Sequence, residues 1–98
     1  MSAPKVAVAI DTAPGAADPA VEARLREAAG ELGGPGRLEL ARTPDGRVSF
    51  TFFVEGASAA RAEEACVAAA EDLLRLAGAV HTVLDRVVVE PLGERGGG

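Results

Sequence analysis

Ninety-eight residues with 48% hydrophobic and 26% charged content predict one domain around a single core, neither a disordered chain nor one that needs disulfide staples. A net charge of −5, with Lys5 the only lysine and the arginines interspersed with carboxylates, argues against nucleic acid and anionic membranes as partners. The single cysteine, Cys66, excludes an intramolecular disulfide or a multi-cysteine metal site, and no apolar run is long enough for a signal peptide or a membrane span, so the expected location is cytoplasmic.

The first element is the apolar run Val6 to Ile10, VAVAI, which suits a central strand with Val6, Val8 and Ile10 toward a helical layer and Ala7 and Ala9 on a nearly flat opposite face. Asp11 to Ala17 is a loop by composition. Asp18 followed by Pro19 then starts a helix, with a carboxylate at the N-cap and proline at the first helical position. That helix is expected over Pro19 to Leu32, with Val21, Leu25, Ala28, Ala29 and Leu32 on one side. Gly33-Gly34-Pro35-Gly36 ends it and delivers the chain to a hairpin.

The hairpin, Arg37 to Val54, holds all three phenylalanines. In its turn, Thr43-Pro44-Asp45-Gly46, Pro44 presets φ and Gly46 takes the left-handed conformation that closes a bulged connection, with Thr43 opposite Arg47. Counting outward sets Leu40 against Phe50 and Leu38 against Phe52, so the large apolar residues share a face. A two-residue loop pairing Thr43 with Gly46 splits that set between faces and is rejected. Ser49, Thr51 and Phe53 then fall on the other side.

Ser58 is the expected N-cap of a longer helix ending near Ala77, with an apolar stripe of Ala59, Ala62, Cys66, Ala69, Leu73 and Leu76, widened by Val67, Ala70 and Leu74. Ala79 to Leu84 connects it to a last strand, Asp85 to Glu90, bounded by Pro91. The domain is expected over residues 1–92, followed by a disordered glycine-rich tail at 93–98.

The element order β-α-β-β-α-β predicts an α+β ferredoxin-like sandwich: a four-stranded antiparallel sheet, order 4-1-3-2, with both helices on one face. The opposite face is left for water, a ligand or another subunit. Its expected residues are Ala7, Ala9, Arg37, Glu39, Ala41, Ser49, Thr51 and Phe53, joined by either Val88 with Glu90 or Val87 with Val89.

This topology hosts many activities, so residues must discriminate. An RNA-recognition module stacks bases on outward aromatics of the first and third strands; here alternation turns Phe50 and Phe52 inward, and Ala7 and Ala9 stand where an aromatic is wanted. A metal chaperone of this topology carries two cysteines in the first loop, and DTAPGAAD has none. Cys66 lies on an apolar helix stripe and reads as a small core thiol, not a nucleophile. His81, four residues before Asp85, reads as a loop histidine ahead of a metal or acid/base pair, because a triad also needs a positioned nucleophile. Glu63, Glu64, Glu71 and Asp72 have the spacing of a solvated helix face. No catalytic residue, metal or cofactor is expected.

The segment Asp11 to Gly15, DTAPG, after an apolar strand resembles the opening of amino-acid-binding regulatory domains of the ACT type, with AADP intervening before the helix. That resemblance implies a small-molecule ligand and makes a sensing domain the alternative function. The first expectation is a non-catalytic association module, binding itself or another protein. Small apolar side chains at Ala7, Ala9 and Ala41 with Phe53 fit a homodimer interface, where a two-fold axis matches Arg37 and Glu39 to their opposites on the second copy.

Overall fold

The computed structural model describes residues 5–15, 18–79 and 81–92. The expected tail at 93–98 lies outside them. The elements run β1 Lys5–Thr12, α1 Pro19–Leu32, β2 Arg37–Arg42, β3 Val48–Glu55, α2 Ala59–Leu76 and β4 Leu84–Pro91. They build an α+β structure whose sheet order, β2-β3-β1-β4, is the expected 4-1-3-2 read from the other edge, with every neighbouring pair antiparallel.

The hairpin has the expected register, Leu40 opposite Phe50 and Leu38 opposite Phe52. Its turn closes through the Thr43 N–H to the Arg47 carbonyl at 2.9 Å and the Gly46 N–H back to the Thr43 carbonyl at 3.0 Å. Gly46 sits at φ 83, a conformation that costs a β-carbon-bearing residue energy, and this residue supplies the bulge. Where the chain enters β2, a β-carbon on Gly36 would stand 2.2 Å from the Phe53 carbonyl oxygen, so glycine is required there by close approach to β3.

Both helix starts follow their caps. Asp18 accepts the Ala20 N–H at 2.8 Å, and Ser58 accepts the Arg61 N–H at 3.3 Å. Val6, Val8 and Ile10 of β1 and Val48, Phe50, Phe52 and Val54 of β3 are buried on one sheet face, under Leu25 and Ala28 of α1 and Ala62, Cys66, Ala69, Ala70, Leu73 and Leu74 of α2. The alanines keep α2 close to the sheet and let two phenylalanines fill the space between. Each buried phenylalanine is a site where truncation to alanine costs about 3–5 kcal/mol.

With Leu25 and Ala28 its buried residues, α1 has a narrow apolar footprint. Arginines latch it down: the Arg24 Nε donates to the Ala77 carbonyl at 2.8 Å, and an Arg26 Nη2 donates to Glu22 at 2.9 Å and to the Leu40 carbonyl at 3.2 Å.

Some details differ from the sequence-based expectation. Leu76 is 60% exposed and Ala59 is exposed, because the buried stripe of α2 runs through Cys66, Ala70, Leu73 and Ala77 at steps of four, three and four. Leu32, the last residue of α1, is exposed as well. β1 and β4 each extend beyond the apolar runs that announced them, to Lys5–Thr12 and Leu84–Pro91.

Candidate interface

Strand pairing fixes which side chains stand side by side on the helix-free face. Directly opposite residues form rows across β2, β3, β1 and β4: Arg37, Phe53, Ala7, Glu90; then Glu39, Thr51, Ala9, Val88; then Ala41, Ser49, Asp11, Arg86. All eight residues expected on this face are on it. Ala7, Ala9, Ser49, Thr51 and Phe53 are half-buried in the sheet, and Arg37, Glu39 and Ala41 are exposed on the edge strand. The open choice in β4 is resolved, since Val87 and Val89 pack toward the core while Val88, 50% exposed, and Glu90 face outward.

Four further charges complete the face. Lys5 and Glu55 are opposite each other and 3.7 Å apart, and Asp11 meets Arg86 at 3.6 Å. Reading β1 as Val6 to Ile10 and β3 only to Val54 left out Lys5, Asp11 and Glu55, although each is two residues along the same strand from a residue already placed there. Arg37 pairs with Glu39 of its own strand at 3.6 Å and lies with its guanidinium 4.7 Å from the centre of the Phe53 ring. The face therefore has a small-residue centre at Ala7, Ala9 and Thr51, one aromatic, one aliphatic, and charges of both signs around them.

The chain matches no protein-family model, no curated protein and no solved structure. Residue chemistry must therefore carry the functional reading. Cys66 is fully buried on the sheet-facing side of α2, and burial pushes its thiol up to about 11. His81 is exposed, so the one thiol and the one imidazole occupy different environments. Among the described residues no group of three or more His, Cys, Asp or Glu side chains is arranged to hold a metal ion, and no helix is long and apolar enough to cross a membrane.

A second polar cluster, absent from the sequence-based reading, lies at the turn end of the sheet. Thr12 is fully buried, and its hydroxyl accepts the Val48 N–H at 2.9 Å. Arg47 donates from Nη1 to the Thr12 carbonyl at 3.2 Å and to Asp85 at 2.8 Å, and from Nε to Asp45 at 2.8 Å. Thr43 donates its hydroxyl proton to Asp45 and accepts the Arg47 N–H at 3.0 Å. The Thr43 hydrogen bond, and after it Arg47, hold the Asp45 carboxyl below its ordinary 3.8. Three connections are thus joined by one guanidinium. All its carboxylate partners are engaged in structure, so the cluster reads as a fastening for the first loop, the hairpin turn and the start of β4.

Proposed function

We propose that the chain is a ferredoxin-like, non-catalytic association module that homodimerises through the helix-free face of its sheet, in the cytoplasm. The observation that carries this reading is the centre of that face, where Ala7, Ala9, Thr51, Phe53 and Val88 stand together with no helix over them. A solvated antiparallel sheet face normally alternates to long polar side chains, whereas small residues leave a flat, mildly apolar surface that fits another flat surface. Buried Cys66, with its thiol held protonated, supports a core role for that residue.

A cavity of about 270 Å³ between the end of α1 and β2, lined by Ala29, Leu32, Leu38, Phe52 and Leu73, favours the ligand-sensing alternative of the ACT type. It takes second place because no polar side chain lines it, whereas ligand sites generally bring a few placed polar groups together.

Sedimentation at tens of micromolar tests the dimer: about twice 9.9 kDa supports it, and 9.9 kDa overturns it. Phe53 is already half-buried in the monomer, so covering the remainder contributes roughly 1 kcal/mol per subunit, about half the low-to-middle value for a fully buried phenylalanine. Phe53→Lys should therefore weaken association by about thirtyfold or more, while losing the half of the ring already buried costs the monomer roughly 1 kcal/mol, about 4–8 °C in Tm.

A further inference from the structure

The rows of the helix-free face are complementary to themselves under one of the two in-plane two-fold axes that keep the strands of stacked sheets aligned. An axis running along the strands, midway between β3 and β1, lays β2 of one copy over β4 of the other and β3 over β1. Row by row, Arg37 then meets Glu90 of the second copy, Phe53 meets Ala7, Thr51 meets Ala9, Ser49 meets Asp11, and Glu55 meets Lys5. Opposite charges face each other at the rim, the one large ring faces the smallest side chain, and a hydroxyl faces a carboxylate. Glu39 falls against Val88 at the edge, where water still reaches it. The other axis, running across the strands through the Thr51 row, sets Glu39 against Glu39, Ala7 against Asp11 and Phe53 against Ser49. It gives Glu90 an Arg86 partner at the rim, but it juxtaposes like charges at Glu39 and places the Asp11 acid over the apolar centre.

Resting on the homodimer reading above, we infer that two copies stack face to face about an axis parallel to the strands, with Arg37 of each copy paired to Glu90 of the other. In the single chain Arg37 folds back over its own Phe53 and toward its own Glu39, at 4.7 Å and 3.6 Å. Association exchanges these for Glu90 and frees the ring to meet Ala7. Arg37 and Glu90 occupy opposite edges of one row, three strand spacings or about 14 Å apart, so they do not pair within a chain. Four strands of this length give a plan area of roughly 500 Å², near the small end of stable interfaces, so the rim charges have a visible share in choosing the arrangement.

The test uses the full chain and a charge exchange. Arg37→Glu and Glu90→Arg are each expected to weaken self-association by about tenfold, since each places two like-charged pairs at the interface. The double variant should return to within about threefold of wild type. Mixing the two single variants should give a heterodimer in excess over both homodimers, and added salt should erode that excess. Both positions are exposed on edge strands, and unchanged circular dichroism will certify the fold. An arrangement about the crosswise axis predicts a different pattern: Arg37→Glu nearly silent, Glu90→Arg facing Arg86, and no rescue in the double variant. A wild-type dimer whose mixed variants pair at random overturns this arrangement and leaves the homodimer standing, whereas a monomeric wild type overturns both.

Discussion

The buried hydroxyl of Thr12 gives the sharpest check on how the sheet is held at its turn end. Backbone pairing explains why it is needed. Thr43 and Arg47 are hydrogen-bonded across the hairpin, so the next pair, Arg42 and Val48, is of the non-bonded kind, and the Val48 N–H points away from β2 toward β1. There the paired register of β1 with β3 has ended at Asp11 opposite Ser49, and the Thr12 Oγ1 accepts that N–H at 2.9 Å. Thr12→Val keeps the shape and the β-branching, and with them strand propensity, but removes the acceptor. Val48 is 1% exposed, so water does not substitute. Leaving a buried donor unpaired costs about 1–3 kcal/mol. For a domain of this size each kcal/mol moves the Tm by about 4–8 °C, so Thr12→Val should melt at least about 4 °C below wild type. Urea unfolding at fixed protein concentration should show the midpoint falling with the slope unchanged. Thr12→Ser keeps the hydroxyl and loses one methyl, and should cost less, about 0.5–1.5 kcal/mol. Thr12→Val within 0.5 kcal/mol of wild type, or Thr12→Ser the worse of the two, would refute the assignment.

Two further outcomes follow from the titratable groups. Because the folded chain holds the Asp45 carboxyl below 3.8, its contribution to stability is present above that pH and is lost as pH falls through the lower folded value. Asp45→Asn should therefore flatten the acid limb of the stability profile, and a limb as steep as that of wild type would count against the assignment. Cys66, at about 11, carries roughly one thiolate in a thousand at pH 8 and has no solvent access; a thiol reagent should label it only at the rate of unfolding, and rapid stoichiometric labelling of the native protein would contradict its burial.

The hairpin was legible in the sequence because two independent signals agreed: turn chemistry at Pro44 and Gly46, and the alternation that put Phe50 and Phe52 on one side. The helix caps at Asp18 and Ser58 were legible for a similar reason, a local rule acting on neighbours. What escaped was tertiary. Thr12 reads as an ordinary strand former until Val48 is brought to it, and Arg47 reads as a surface charge until Asp85 and the Thr12 carbonyl converge on it. The facing of β4 was hidden because Val87-Val88-Val89 has no polar marker to set its parity; pairing to β1 sets it. On α2, both Leu76 and Ala77 satisfy helical spacing from Leu73, and size favoured the wrong one.

The placement of β1 also sets an order of events in folding. Its neighbours are both distant in the chain: Ala9 lies between Thr51 on one side and Val88 on the other, while β2 and β3 are joined by a short turn. A hairpin of that kind closes in about 1–10 μs, whereas each β1 pairing requires a long loop to be closed first. The strand made earliest in the sheet is thus the one that waits, and until β4 arrives its far edge offers a row of unpaired amides and carbonyls beside the apolar Val6, Val8 and Ile10. During that interval the chain is open to strand exchange with another copy, so refolding at high concentration should favour aggregates seeded by β1, and slowing the arrival of β4 should increase them.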